Sequence, residues 1–183
     1  MEIAQAIKKR RTIHCFSKEI VPKEVIERSI LAANQAPCHR RTFPWRFTSL
    51  GLHSRELLFE LQLTLKFGDK NIDELNFKKI KDKIFNPSHL LIATQLCTDN
   101  QVHKHEDYAA CACAIQNLSL SLVGDGVGYK WSTGKIIKDP KTYQIAEIDP
   151  REEEIIGFIW VGYGTKPPII SRPLVNTIFR ERN

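Results

Sequence analysis

No apolar run in this chain approaches the roughly 20 residues that a membrane-spanning helix requires, so a membrane partner is not expected. Cysteine is scarce and odd in number, five residues without framework spacing, which points to free thiols in a reducing compartment rather than a disulfide scaffold. Internal repeats, low-complexity tracts and a Pro/Gly/Ser-rich linker are all absent, which argues against a solenoid and against a chain divided in two. The basic cluster Lys8, Lys9, Arg10 and Arg11 follows a short apolar stretch. A secretory signal has the opposite order, so a cytoplasmic location is the expectation. The chain has no HExxH motif and no Ser-His-Asp signature, and its histidines have no partners at metal-ligand spacing.

What is present is an ordinary core-forming composition. Of 183 residues, 42% are hydrophobic. A chain of this length buries roughly 70% of its unfolded surface, enough to fold without a metal or disulfide staple. One domain over residues 1–183 is expected, with residues 165–183 as an extended C-terminal arm, because Pro167, Pro168 and Pro173 forbid a regular helix or a central strand there. Lys plus Arg outnumber Asp plus Glu by 27 to 21, a net charge of +6. That excess suits nucleic acid, an anionic surface, phosphorylated small molecules or plain solubility, and does not choose among them.

The periodicity predicts a short amphipathic helix with Ile3, Ala6 and Ile7, and a second starting at Pro22 and ending near Ala36. A strand follows over 45–50. Ser54 is the expected cap of a helix bearing Leu57, Leu58, Leu61 and Leu65, and a further helix carries Ile72, Leu75, Ile80 and Ile84. Residues 89–97 read as a buried strand and 103–123 as a long helix, apolar on most sides, that belongs in the middle of the fold. The glycines at 124, 126 and 128 break that helix, and strands over 129–132 and 155–161 complete the pattern. Few strands among longer helices indicate an α+β fold.

Three segments carry groups suited to chemistry. Arg10, Arg11 and Thr12 could bind one phosphate through charge-assisted hydrogen bonds, or could simply be a solvated basic helix end. The loop from Ala36 to Pro44, with Cys38, His39, Arg40 and Arg41, reads either as a rigid binding loop or as an ordinary helix–strand connection. Trp131, Ser132, Thr133 and Gly134 offer hydroxyls and backbone donors beside an aromatic plane. The glycine run before them is a helix-terminating turn rather than a dinucleotide fingerprint, since it follows a helix and precedes a strand.

Taken in order, these segments resemble the nitroreductase family of flavoproteins, closest to its short-subunit NAD(P)H nitroreductase branch. The series is a helix ending in Arg-Arg-Thr, an Ala-Pro loop, Pro-Trp-Arg-Phe, a long Ala-rich helix with Gln116-Asn117-Leu118, Gly-Val-Gly-Tyr-Lys-Trp, and Ile-Ile-Gly-Phe-Ile-Trp-Val-Gly-Tyr-Gly. The resemblance implies a central, mostly antiparallel sheet of four to five strands flanked by helices, in an intertwined homodimer with FMN at the subunit interface. It implies NADH or NADPH as hydride donor, ping-pong transfer through flavin N5, and a nitro, quinone or similar small-molecule acceptor. It places Arg10, Arg11, Thr12 and His14 at the FMN phosphate and ribityl end, and Gln35, Pro37 and His39 on the loop offered to the partner's flavin. Trp131, Ser132, Thr133 and Gly134 fall on the segment lining the ring or ribityl chain, and Arg172 at a late phosphate contact. No catalytic acid or base and no metal is implied, because FMN carries the chemistry.

The chain departs from the family pattern at His14, where Arg or Lys is usual, and at Cys38, where Ser, Asp or Asn is usual; the arm after Pro173 is also short. The open alternatives are another flavin chemistry (dehalogenation, desaturation or flavin fragmentation), a flavin-binding sensor with little turnover, and a basic nucleic-acid module, which the apolar middle of the chain disfavours. Residues 67–85 are the expected lid.

Overall fold

A computed structural model describes residues 1–182. Its elements run α1 (Ile3–Lys9), α2 (Lys23–Ala33), β1 (Trp45–Ser49), α3 (Leu52–Phe67), α4 (Glu74–Phe85), β2 (His89–Leu96), α5 (Gln101–Gly124), β3 (Gly128–Ser132), a 3₁₀ turn (Lys135–Lys138), α6 (Pro140–Ala146), β4 (Glu153–Gly162) and α7 (Val175–Ile178). The strands form one antiparallel sheet in the order β1-β2-β4-β3. The fold is therefore α+β with a four-stranded sheet, as the sequence suggested. No helix among the described residues is long and apolar enough to cross a membrane.

Helices cover both faces of the sheet, and this explains the continuous apolar runs of β2 and β4. Leu91 and Ala93 of β2 join Ile159 and Val161 of β4 against α2 and α5. Leu90 and Ile92 join Phe158 and Trp160 on the other face, against Leu58 and Leu61 of α3 and Ile84 of α4. Each fully buried Leu or Ile contributes about 1.5–3 kcal/mol over leaving it in water. Arg55 of α3 is 8% exposed and fixes the end of α4, donating to the carbonyls of Ile84, Pro87 and Ser88. Those acceptors sit where a helix C-terminus leaves carbonyls unpaired and favours a cation.

Several boundaries differ from expectation, each for a local reason. Helix α3 begins at Leu52 with Gly51 at the cap position, and Ser54 lies inside the first turn without capping it. Helix α2 stops at Ala33 because Gln35 and Ala36 fold into tight turns on the Ala32 and Ala33 carbonyls, and Pro22 serves as its cap residue rather than its first helical one. Helix α5 starts two residues early, since the Asn100 side chain accepts from Val102 and His103 N–H at 2.9 and 3.1 Å. It is also less central than expected: Val102, Ala109 and Cys113 lie exposed along one stripe.

The glycine run after α5 has three distinct tasks. Gly124 ends the helix, and Gly126 takes φ +75° so that its N–H meets the Val123 carbonyl and the Val127 N–H reaches Leu122. This paired closure is a Schellman motif. Gly128 instead makes room. Residues 10–16 form a strap that leaves α1, pairs Thr12 in parallel with Tyr129 of β3, and crosses the sheet end to pair Phe16 with Gly164. A Cβ on Gly128 would lie 2.7 Å from Ile13 Cγ1, one on Gly164 3.0 Å from Ile13 Cγ2, and one on Gly162 3.1 Å from Phe16 Cδ1. The strap is seated by glycines.

Gly128→Ala is therefore expected to cost about 1–3 kcal/mol through overpacking against Ile13. Gly124→Ala, in open space at the end of a helix, is expected to be neutral or to stabilise by up to about 1 kcal/mol. Denaturant unfolding of the two variants checks this; equal stability of both would show that the strap is loosely held.

Candidate functional site

The strap brings the first predicted cluster beside β3. Arg10 donates from Nη1 to the Tyr129 hydroxyl at 2.9 Å, and its guanidinium carbon lies 5.9 Å from that ring's centroid. Ile13 N–H donates to the Tyr129 carbonyl at 2.9 Å, which fixes the register of the strap. Arg10 and Thr12 are half-buried there, at the start of the strand whose far end is Trp131 and Ser132. Arg11 does not converge with Arg10. Its Nη1 turns back onto the carbonyls of Lys8 and Arg10 at 2.6 and 2.7 Å, on the side where Pro167 and Pro168 of the arm lie. His14 is exposed, and so is Arg172, far along the arm.

At the other end of β3 the side chains divide. The Trp131 indole is half-buried and packs against the core. Its Nε1 donates to the Ile156 carbonyl at 3.3 Å, and its ring occupies the space over Gly157, where a Cβ would come within 2.2 Å of the indole nitrogen. Gly157 has φ +159°, and Ile156 is an extra residue of β4 opposite the Ala93–Thr94 step of β2, a bulge of the kind that re-aims groups near sites. Ser132 Oγ accepts from Trp160 Nε1 at 2.7 Å, which leaves its own proton free to donate. Thr133 and Gly134 are exposed and line two cavities, one on each side of the segment.

The smaller cavity, about 310 Å³, is walled by Lys66 of α3, Lys83 of α4 and Lys135. Lys83 Nζ lies 5.5 Å from the Trp160 ring centroid. Burial, then repulsion from Lys130 and Lys66, holds its ammonium below the ordinary lysine range, and burial does the same to Lys130. The larger cavity, about 720 Å³, lies toward the N-terminal half of α5.

The loop after α2 is anchored to α5. Thr42 Oγ1 donates to Asp107 Oδ1 at 2.7 Å and Arg40 Nε to Glu106 Oε2 at 2.9 Å, while Trp45 Nε1 ties the loop's end back to the α2 cap at Asn34 Oδ1, 3.3 Å away. Arg41 and Phe43 take φ +54° and +45°, left-handed values uncommon for such side chains. The Arg41 N–H closes the turn on the Cys38 carbonyl at 3.3 Å. Burial pushes the Cys38 thiol up. The N–H groups of Phe43, Thr42 and Arg40 hold it below its ordinary value, while the Thr42 hydroxyl stands 3.3 Å from Sγ with its own proton given to Asp107. Gln35, Pro37 and His39 are exposed. Among the described residues no hydrogen bond joins them to the strap or to residues 132–134. Within one chain the loop and the strap are thus two separate polar clusters.

The sequence reading missed Gln95, Lys104, Tyr108 and Glu154, which wall the larger cavity. The available signal was the polar pair Thr94-Gln95 inside an otherwise apolar strand.

A strapped antiparallel sheet with helices on both faces and a long helix along one of them defines a nitroreductase-like α+β protein. A profile of the nitroreductase family matches residues 7–163, and the chain belongs to that family. It is 30% identical over 172 residues to "Putative NAD(P)H nitroreductase YfhC" of Bacillus subtilis, an alignment covering 91% of this chain and 86% of that one. Among solved structures, a nitroreductase-like family protein from Bacillus cereus superposes with a TM-score of 0.84 at 23% identity, covering 100% of this chain and 96% of the other. Oxidized iodotyrosine deiodinase bound to FMN and 3-iodo-L-tyrosine superposes with a TM-score of 0.75 at 20% identity, covering 100% of both chains.

The loop geometry gives a testable ordering of thiols. A lowered pKa means a larger thiolate fraction near neutrality, so Cys38 is expected to alkylate with iodoacetamide at lower pH than Cys97, whose thiol burial and Glu154 push up. Cys111, raised to about 12 mainly by burial, stays unmodified in the native protein. Peptide mass spectrometry across a pH series reads both, and a Cys38 that alkylates no earlier than Cys97 would overturn the ordering.

Proposed function

We propose that the protein is an FMN-dependent NAD(P)H oxidoreductase that acts as a homodimer, with each flavin held between two chains, and that reduces nitro, quinone or similar small-molecule acceptors. The observation that carries this reading is the seating of the strap, which sets Arg10 and Thr12 along the strand that ends in residues 132–134. The donor set suits a flavin mononucleotide. Arg10 spends one N–H on Tyr129 and keeps four, the number and planar geometry that suit a phosphate. Thr12 offers a hydroxyl to a polyol chain. Ser132 has a free proton to donate, and Gly134 has open space where a Cβ would stand, so a flat ring can approach the backbone.

FMN, when bound, supplies hydride acceptance and electron delivery. The chain's own contribution is to grip the anionic tail, to surround the site with cations that favour negative charge, and to leave proton supply to water. Lys83 and Lys130 suit that electrostatic task, because both are partly desolvated and their field is therefore less screened.

The homodimer reading is supported by the two separate polar clusters and by apolar surface left uncovered. Ile3 and Ile7 of α1, Val102 on the exposed stripe of α5, and Leu174, Val175, Ile178 and Phe179 of the arm are all exposed. Exposed apolar side chains in such number suit burial against a second chain. A second chain would cover it and bring Gln35, Pro37 and His39 to the first chain's strap.

Purified protein is expected to be yellow, to release FMN on denaturation, one per chain, and to elute at twice its 21.0 kDa chain mass. It should oxidise NADH or NADPH faster when a nitroaromatic or quinone is present. A colourless monomer would falsify the proposal. Stoichiometric FMN with no NAD(P)H oxidation would favour another chemistry of the fold, dehalogenation among them.

Arg10→Ala is expected to lose about 1.5–3 kcal/mol of FMN affinity, roughly ten- to hundredfold, from one charge-assisted phosphate contact. Arg11→Ala, whose guanidinium is engaged with backbone carbonyls, should lose much less. Equilibrium dialysis followed by the visible spectrum separates the two; equal loss would show that the two guanidinium groups act together on one phosphate.

A further inference from the structure

The 720 Å³ cavity has a property that strap, loop and flavin segment leave unexplained. Gln95, near the end of β2, is 2% exposed and lies in the cavity wall. Its Nε2 donates to Glu154 Oε2 at 3.3 Å, and this contact fixes which end of the amide is which. Its Oε1 is sealed from solvent and has no hydrogen-bond donor among the described residues. Buried polar atoms are paired with few exceptions, and an exception against a cavity calls for a donor from outside the chain. Gln95 is a residue of the cavity wall, so a group bound there lies beside this amide.

The rest of the wall restricts the chemistry of that group. Glu154 is already neutralised by Lys104, whose Nζ stands 2.8 Å from Oε2. Lys135 and Lys138 line the cavity with no carboxylate within salt-bridge distance among the described residues, so its field is positive and suits an anion. Ile155 and Ile156 supply an apolar surface. The Tyr108 ring, exposed at the cavity wall, lies 6.5 Å from Trp131 and suits a planar body. Thr133 and Gly134 are shared between this cavity and the segment assigned above to the flavin.

We propose that this cavity is the acceptor pocket, and that it selects aromatic acids bearing a ring hydroxyl or amino group: the donor goes to Gln95 Oε1, and the carboxylate to Lys135 or Lys138. The role as acceptor pocket rests on the flavin reading. The recognition chemistry does not, and it is tested by binding alone.

The probe is 4-hydroxybenzoate, which nitro or quinone reduction cannot consume, titrated calorimetrically into the protein as purified, with benzoate as the partner lacking the donor. One hydrogen bond to an otherwise unpaired buried acceptor corresponds to roughly five- to tenfold in affinity, so 4-hydroxybenzoate should bind that much more tightly than benzoate. Gln95→Leu should abolish the difference by weakening only the hydroxylated acid. Lys135→Ala with Lys138→Ala should weaken both acids.

Absence of saturable binding would overturn the proposal, as would equal affinity of the two acids for the unaltered protein, a comparison that needs no variant. A difference that survives in folded Gln95→Leu would mean that Oε1 is satisfied by water or by a second chain, and would overturn it too. The visible spectrum of the same samples keeps the two readings apart. A yellow protein without the selectivity sinks the pocket alone. A colourless protein that shows it sinks the flavin reading and leaves a binding pocket of the stated chemistry.

Discussion

The contact of Ile13 with the Cα hydrogens of Gly128 and Gly164 is the constraint on which the candidate site depends. Side chains on neighbouring strands keep backbones apart, and an extended segment cannot lie across a sheet end unless residues beneath it lack a Cβ. Here the close approaches fall at three glycines, and the strap uses them to set Thr12 beside Tyr129 and Phe16 beside Gly164. Register follows from that seating. Arg10 reaches the Tyr129 hydroxyl because Ile13 N–H is already bound to the Tyr129 carbonyl. A strap shifted by one residue would reverse the faces of Arg10 and Arg11, since side chains alternate along an extended segment.

Charge is distributed to match. The formal excess of +6 conceals two local regimes. On the loop, cations are spent on structure: Arg40 goes to Glu106 and Arg46 to the Phe43 and Trp45 carbonyls, so these guanidinium groups hold the loop and add little field at the site. Around residues 132–135 the arrangement differs. Lys83 and Lys130 keep one another and Lys66 as neighbours, and desolvation lowers their pKa values instead of a carboxylate raising them. Unneutralised, partly desolvated ammonium groups cost stability, and they are tolerated where a negatively charged occupant offsets that cost.

The sequence exposed the parts of this arrangement that are local. Strands β2 and β4 were legible because apolar runs bounded by Asn86-Pro87 and by Gly162 and Gly164 have few alternatives, and the turn after α5 was legible from glycine chemistry. Arg10 stood out because its neighbours form a motif. The division of labour between Arg10 and Arg11 was not legible, because it is set by which side of an extended strap each residue takes, and that depends on long-range pairing with β3. The half-buried position of the Trp131 indole was not legible either, because the space it occupies is opened by Gly157, 26 residues later. Gln95 looked like one more residue of a buried strand; its significance appears only when Glu154 satisfies one end of the amide and nothing satisfies the other.

The bulge in β4 ties these features together. An extra residue at Ile156 lets its carbonyl accept from Trp131 while the following glycine yields space to the ring. The same irregularity lies in the wall of the larger cavity, between Glu154, which holds Gln95, and the core residue Phe158. A regular strand would place a Cβ at position 157 against the indole and push Trp131 out toward residues 132–134. Residues 133 and 134, which line both cavities, would then lie beside the protein's own aromatic ring. The glycine at 157 therefore sets where the Trp131 indole lies, even though it touches no part of either cavity.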